Sequence, residues 1–154
     1  MDSKNKWSFG VFAAISPPGL AGQGLWLVKH NYGKGLWSLP GGGLELGENI
    51  VQGMSRENQE ETGFQISVLN PPVAILSLRR SLGVVVLFEG LFIKWIAQSN
   101  PDEISEGDFF RFEYIARLAE RKKIYPAQFD LVELFRLTKP EDRPVYEWSN
   151  KLKM

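Results

Sequence analysis

The chain has 154 residues, of which 18 are Lys or Arg, 18 are Asp or Glu, one is His and none is Cys. This length fits one domain spanning residues 1–154, and an apolar fraction of 44% is enough for a core without disulfide or metal support. The absence of Cys excludes disulfides, a thiolate zinc site and a cysteine nucleophile. Because the charges cancel and no long basic run occurs, bulk binding to nucleic acid is not expected.

The sequence contains no predicted membrane span or secretion signal. The longest apolar stretch, residues 82–97, is interrupted by Glu89 and Lys94 and is shorter than the roughly 20 residues that cross a bilayer. The first ten residues lack the apolar run that follows the charged start of a signal peptide. We therefore predict no membrane contact and a cytoplasmic location.

Aromatic and β-branched residues cluster between Gly and Pro in the first part of the chain, which favours β-strands. We predict strands at Trp7–Ile15 and Gln23–His30 and a short extended segment at Leu36–Leu39. Pro40–Gly43 is predicted to be a loop, because a backbone so rich in Gly is too permissive for the interior of a strand or helix. Asn49–Thr62 is predicted to be a helix, with residue types at both ends that form caps.

The rest of the chain combines further strands with two predicted helices. Val84–Ala97 is apolar on both alternating faces, as expected of a central strand covered on both sides. A polar loop, Ser99–Asp108, follows it, and the tail 139–154 is predicted to have low order or to pack at an edge. The other predicted strands are Gln65–Leu69, Val73–Arg80 and Phe109–Phe112, and the predicted helices are Tyr114–Arg121 and Gln128–Leu137.

Seven residues at fixed separations distinguish the segment from residue 42 to residue 64. They are Gly42, Glu48, Arg56, Glu57, Glu60, Glu61 and Gly63. With this composition, an accidental match of seven fixed positions has a probability of roughly a few in a million. The segment Gly42–Phe64 resembles the Nudix box, written G-x5-E-x7-R-E-U-x-E-E-x-G-U with U a bulky apolar residue. Every invariant position is met, and Asn58 stands at the first apolar position.

Three carboxylates of this segment share one side of the predicted helix. At about 100° per residue, Glu57, Glu60 and Glu61 fall within one sector, where they repel one another unless a cation neutralises them. A hard divalent ion fits, because Mg²⁺ prefers oxygen ligands and bridges carboxylates to phosphates, and Mn²⁺ is the substitute. We expect Arg56 to brace a carboxylate such as Glu48 or Glu60.

The resemblance implies an α/β fold, the Nudix-type α/β/α sandwich with a mixed β-sheet. It also implies metal-dependent hydrolysis of a phosphoanhydride bond in a nucleoside diphosphate linked to another moiety, with a nucleotide-type small molecule as substrate. By resemblance, the carbonyl of Gly42 joins the three helix carboxylates as a metal ligand, and Arg56, Glu57 and Glu60 are catalytic. A homodimer is compatible with the family.

The resemblance leaves the catalytic base and the substrate open. Some family members use a carboxylate of the box helix as base and others a glutamate in a distal loop, so we rank Glu57 first, then Glu106 and Glu103 of the predicted polar loop. Open substrate classes are ADP-ribose, sugar nucleotides, dinucleoside polyphosphates, coenzyme pyrophosphates and oxidised nucleoside triphosphates.

Two other protein classes are alternatives to a hydrolase. A Nudix-like module that binds a nucleotide or protein without hydrolysing it has no need to keep a mutually repelling carboxylate cluster. An isomerase of isoprenoid diphosphates on a related fold would require a cysteine, which the chain lacks. Among residues outside the motif, we expect Trp26 and Trp37 to pack in a core, Arg79 and Arg80 to face solvent, and His30 to have no functional role.

Two residues of the predicted helix break its pattern. Asn58 continues the apolar stripe formed by Ile50 and Met54, so a buried amide there would need hydrogen-bond partners. Gly53 weakens a helix by about 1 kcal/mol relative to Ala, which we interpret as room for close contact with the sheet.

Overall fold

Two β-sheets and three α-helices make up the computed structural model, which describes residues 8–77 and 83–143. The predicted strand start at Trp7, the end of the predicted strand at residues 78–80 with its two arginines, and residues 144–154 of the tail lie outside the described residues. The strands are β1 (Ser8–Ser16), β2 (Gly24–His30), β3 (Trp37–Ser38), β4 (Gly41–Gly43), β5 (Phe64–Ser77), β6 (Gly83–Trp95) and β7 (Ile104–Arg111). The helices are α1 (Ile50–Thr62), α2 (Phe112–Glu120) and α3 (Pro126–Leu137).

The larger sheet is mixed, as predicted. Its strand order is β4-β1-β6-β5; β1 and β6 run parallel, and the other neighbouring pairs are antiparallel. The smaller sheet, β3-β2-β7, is antiparallel throughout.

Helices cover both faces of the larger sheet because its strands are apolar on both sides. Alternate residues of β1, from Val11 to Ile15, pack with Met54 of α1. Ala14, between them, points to the opposite face of the sheet. There it belongs to another hydrophobic cluster, which joins the smaller sheet to α2 and α3 through Ile115 and Leu131. This arrangement confirms the α/β/α sandwich. No helix of the described residues is long and apolar enough to cross a membrane.

The loop prediction for Pro40–Gly43 is wrong at its last three residues, which form β4. Gly41 pairs with Phe12 of β1, and its backbone adopts a positive φ of 155°. A Cβ at Gly41 would lie 2.1 Å from the carbonyl oxygen of Val11. The Gly residues that suggested a loop therefore allow an unusually close approach between two strands.

Two other boundaries differ from the predictions. The predicted polar loop ends early, since β7 begins at Ile104 and pairs with β2 as an edge strand whose side chains are largely exposed. The two strands predicted on either side of residues 70–72 are one strand, β5, with a pairing irregularity between Leu69 and Ala74. In the predicted tail, Pro140–Asp142 forms a short 3₁₀ helix and Arg143 pairs with Glu89 at 2.7 Å.

Trp26 and Trp37 both pack against the hydrophobic core, as expected. Trp26 meets Phe64 edge to face at 4.9 Å, and Trp37 meets Phe110 in the same way at 4.7 Å between ring centroids. Gly53 was expected to allow close contact with the sheet, but this prediction is wrong. A Cβ at Gly53 would lie 2.2 Å from the side chain of Leu44, which belongs to the loop before α1.

Asn58 is fully buried, as its place in the apolar stripe predicted. Its Nδ2 donates to the carbonyl of Phe64 at 2.9 Å, while its Oδ1 has no hydrogen-bond partner among the described residues. The amide thus ties the end of α1 to the first residue of β5.

Candidate active site

Helix α1 is held in place by caps at both ends. The side chain of Asn49 accepts a hydrogen bond from the backbone N–H of Gln52 at 2.8 Å, and the side chain of Gln52 accepts one from the backbone N–H of Asn49 at 3.0 Å. At the other end, Gly63 has a φ of 74° and donates its N–H to Gln59. These local signals define where the helix begins and ends, and so which side chains face β4.

Arg56 is the centre of the polar network on this side of the helix. Its guanidinium forms a fork with Glu48, at 2.7 Å from Nε and 2.8 Å from Nη2, as the spacing predicted. Nη1 donates to Glu57 at 3.0 Å and to Glu60 at 3.3 Å, and Nη2 donates to the carbonyl of Gly43 at 3.1 Å. The hydrogen bonds from Arg56 lower the pKa of Glu48 to about 2, so this carboxylate stays ionised.

Glu57 lies against the backbone of Gly42. A Cβ at Gly42 would lie 2.7 Å from the carboxyl carbon of Glu57, so any larger residue would displace that side chain. Loss of hydration on burial raises the pKa of Glu57 to about 7, although hydrogen bonding by Arg56 acts in the opposite direction. The negative charges of Glu61 and Glu60 contribute to the rise. Glu57 is therefore a carboxyl group that exchanges its proton near neutral pH.

Glu61 is buried behind these residues, with 2% of its side chain exposed. Its Oε1 accepts a hydrogen bond from Gly41 N–H at 2.7 Å, and its Oε2 lies 2.5 Å from Nε2 of His30. The hydrogen bond to Glu61 raises the pKa of His30, although burial opposes it. The contact was not predicted from the sequence, because the two residues are 31 positions apart and no local pattern links them. The expectation that His30 has no functional role stays a prediction.

The two distal glutamates lie in different surroundings. Glu106 belongs to β7, is 59% exposed and lies 3.9 Å from Lys29 of β2. The pairing of β2 with β7 is irregular between Lys29 and His30. The two side chains face different neighbours, since the Lys29 ammonium lies 5.8 Å from the centre of the Trp37 ring and His30 contacts Glu61. Glu103 precedes β7, and its negative charge raises the pKa values of His30 and Tyr32. Glu103 thus acts electrostatically on His30, the partner of Glu61, whereas Glu106 lies beside Lys29.

The side chains around β4 suit a hard cation. Among the described residues, no group of three or more His, Asp or Glu side chains is placed to hold a metal ion, so a bound ion would need backbone oxygen or water besides two carboxylates. The Arg56 guanidinium, however, lies within hydrogen-bond distance of both Glu57 and Glu60, so these carboxylates already share one cation. Together with the Gly42 backbone they offer oxygen donors alone, the set that Mg²⁺ and Mn²⁺ prefer.

A cavity of about 370 Å³ opens beside these carboxylates. One wall is the exposed side of α1, and the other is the segment after β6, whose Asn100 donates its N–H to the backbone carbonyl of Glu60 at 2.8 Å. The cavity lining consists of Arg56, Gln59, Glu60, Ala97, Gln98 and Asn100.

The fold and the site define an α/β/α sandwich in which a glutamate-rich helix faces a glycine strand across a bridging arginine. The profile of the NUDIX domain matches residues 8–135, and the chain belongs to this family. A MutT-like protein of Streptomyces ambofaciens is 30% identical over 96 residues, covering 54% of this chain and 60% of that protein. The match thus spans less than two thirds of that relative.

Solved structures agree on the fold. A NUDIX hydrolase from Nitrosomonas europaea superposes with a TM-score of 0.68 at 22% identity, covering 94% of this chain and 100% of that one. An ADP-ribose pyrophosphatase from Streptococcus suis superposes with a TM-score of 0.66 at 23% identity, covering 84% of this chain and 89% of that one. At these identities the likeness establishes the fold alone.

Proposed function

We propose that this chain is a metal-dependent pyrophosphohydrolase that cleaves a phosphoanhydride bond in a nucleoside diphosphate linked to another moiety. The observation that carries the proposal is the sharing of Arg56 between Glu57 and Glu60 beside Gly42. Membership of the NUDIX family supports it, because the residues of that constellation are the invariant positions of the box.

The metal-binding group would be the carbonyl of Gly42 with the carboxylates of Glu57 and Glu60. Glu61, a ligand by family resemblance, already accepts one hydrogen bond at Oε1 and contacts His30 at Oε2, so it would bind the ion through a remaining lone pair of one of these oxygens. When bound, Mg²⁺ supplies positive charge for the substrate phosphates and lowers the pKa of a coordinated water; Mn²⁺ is the substitute. Arg56 holds the carboxylates in place through its hydrogen bonds.

We rank the candidate bases by their surroundings. Glu57 comes first, because its pKa of about 7 allows it to accept and release a proton at neutral pH. Glu103 comes second, since its charge acts on His30 beside the helix carboxylates. Glu106 comes third, because it lies beside Lys29.

The substrate class proposed is a nucleotide derivative with a diphosphate bridge. The cavity offers space next to Glu60, and its amide side chains, Gln59, Gln98 and Asn100, suit the polar groups of a base or sugar. A structural relative is an ADP-ribose pyrophosphatase, which makes ADP-ribose the first compound to test.

The proposal is tested by a screen for nucleoside monophosphate, detected by chromatography, over ADP-ribose, sugar nucleotides, dinucleoside polyphosphates, coenzyme pyrophosphates and oxidised nucleoside triphosphates, with Mg²⁺ and with chelator. We expect one class to release a nucleoside monophosphate in Mg²⁺ and none in chelator. Glu60→Gln should lose at least about 100-fold in turnover, whereas Glu133→Gln, which removes a charge from an exposed pair on α3, should not. Nucleotide binding without product across the whole panel would instead establish a non-hydrolysing binding module.

A further inference from the structure

His30 and Glu61 form a buried pair behind the carboxylates that face the cavity. Their facing atoms, Nε2 and Oε2, are 2.5 Å apart, and the side chains are 12% and 2% exposed. Such a contact is costly to break, because it would leave a buried carboxylate with an unpaired oxygen. His30 is the single histidine of the chain, and its Nε2 faces Glu61.

The second oxygen of Glu61 holds the backbone of β4. Gly41 N–H donates to Glu61 Oε1 at 2.7 Å, and on the other side of the same peptide unit the carbonyl of Pro40 accepts from Ala13 N–H at 3.0 Å. This peptide unit is therefore fixed at both ends. The next residue is Gly42, whose backbone lies against Glu57.

We infer that His30 is a positioning residue for the metal-binding group: it holds Glu61, and Glu61 holds Gly41, so that the Gly42 carbonyl and Glu57 keep their relative positions. The inference deepens the proposed function and rests on it for the identity of the bound ion. Partners that orient metal ligands through hydrogen bonds commonly change metal affinity by about 10-fold to 100-fold. His30 reaches the site from β2, an element that contributes no residue to the box.

The test measures Mn²⁺ binding to the full chain without substrate, by calorimetry and by loss of the free-ion electron paramagnetic resonance signal. We expect His30→Ala to weaken binding by about 10-fold. The Mn²⁺ affinity of His30→Gln should stay within about 3-fold of the wild-type value, because the side-chain amide of glutamine can still donate a hydrogen bond to Glu61. The matched control is Lys29→Ala, which removes the preceding side chain of β2 and should leave the affinity unchanged.

A double-mutant cycle shows whether His30 acts through Glu61. In a Glu61→Gln background, His30→Ala should cause no further loss of Mn²⁺ affinity, since the contact it removes is already altered. An equal further loss, unchanged affinity in His30→Ala, or tighter binding in His30→Ala would each overturn the inference.

Folding is checked by circular dichroism and thermal unfolding of each variant. If His30→Ala does not fold, His30→Asn takes its place, since its shorter amide does not reach Glu61 whereas that of His30→Gln does. This test can succeed or fail independently of the proposed function, because it measures Mn²⁺ affinity and not turnover. A chain that shows these affinities but hydrolyses no compound contradicts only the proposed function, and an active chain with unchanged affinity in His30→Ala contradicts only this inference.

Discussion

Arg56 and Glu48 are joined by two hydrogen bonds, of 2.7 and 2.8 Å, across the loop-to-helix boundary that begins the glutamate-rich helix. Glu48 also accepts a hydrogen bond from the backbone N–H of Glu45 at 2.7 Å. The pair therefore fixes the loop after β4 to the helix that carries the candidate metal ligands. A planar guanidinium suits this role, because it can serve several carboxylates at defined angles.

Arg56→Lys should disrupt this arrangement although it keeps the charge. A lysine ammonium cannot form the fork with Glu48 and also reach Glu57 and Glu60. We expect turnover to fall by at least about 10-fold and the free energy of unfolding to fall by about 1–2 kcal/mol, measured by steady-state kinetics and urea unfolding. Arg136→Lys, in an exposed pair with Glu133, is the control and should change neither quantity. Equal behaviour of the two variants would contradict the role given to Arg56.

Gly42→Ala tests the close approach of β4 to Glu57. The added Cβ would lie 2.7 Å from the Glu57 carboxyl carbon, so the carboxylate or the strand must shift. We expect Mn²⁺ affinity and turnover each to fall by about 10-fold or more. Gly43→Ala is the matched control, because the nearest atom to its Cβ would be 3.8 Å away, and it should retain both properties. A Gly42→Ala variant as active as Gly43→Ala would show that the Gly42 backbone does not contribute.

The stability of the metal-free protein should depend on pH through Glu57. Its pKa in the folded chain, about 7, lies above the ordinary 4.5, so its contribution to the free energy of unfolding is fully present below pH 4.5 and is lost as the pH rises through 7. His30, whose pKa is also raised, acts in the same direction around and above pH 6.5. We expect the wild-type chain to lose about 1–2 kcal/mol more than Glu57→Gln between pH 5 and pH 8, after solvent screening.

The pH prediction is measured by urea unfolding in chelator at intervals across this range. His30 is present in both proteins, so the difference between the two curves reports Glu57 together with its smaller electrostatic effect on His30. Parallel curves would contradict the raised pKa, and saturating Mg²⁺ should remove much of the wild-type loss by favouring the charged carboxylate.

Asn58→Asp should destabilise the fold at the end of α1. The amide donates to the buried carbonyl of Phe64, and a carboxylate there would lose that donor and face the carbonyl oxygen instead. We expect a loss of about 3 kcal/mol or more in the free energy of unfolding near neutral pH. Asn31→Asp removes a similar donation, to Pro101 at 2.8 Å, at an exposed position and should cost less than about 1 kcal/mol. Similar losses in both variants would show that burial of Asn58 does not matter.

The sequence alone determined the parts of the site whose partners are close along the chain. The caps of α1 and the placement of Glu57 and Glu60 on one side of the helix follow from separations of about one turn. For Arg56 the sequence offered Glu48 or Glu60 as partner, and the structure shows hydrogen bonds to both. The fold class followed from the resemblance of one segment to a known box. Local sequence suffices in these cases because helical geometry fixes which residues meet.

The tertiary structure decided what depends on strand pairing. Whether Gly41–Gly43 is loop or strand depends on the close approach of β1, and whether Glu106 or Glu103 lies near the site depends on where β7 begins its pairing with β2. The contact between His30 and Glu61 likewise exists because a strand end and a helix end meet in space. Neighbouring residues along the chain carry no signal for such contacts, since hydrogen bonds and packing between distant segments create them.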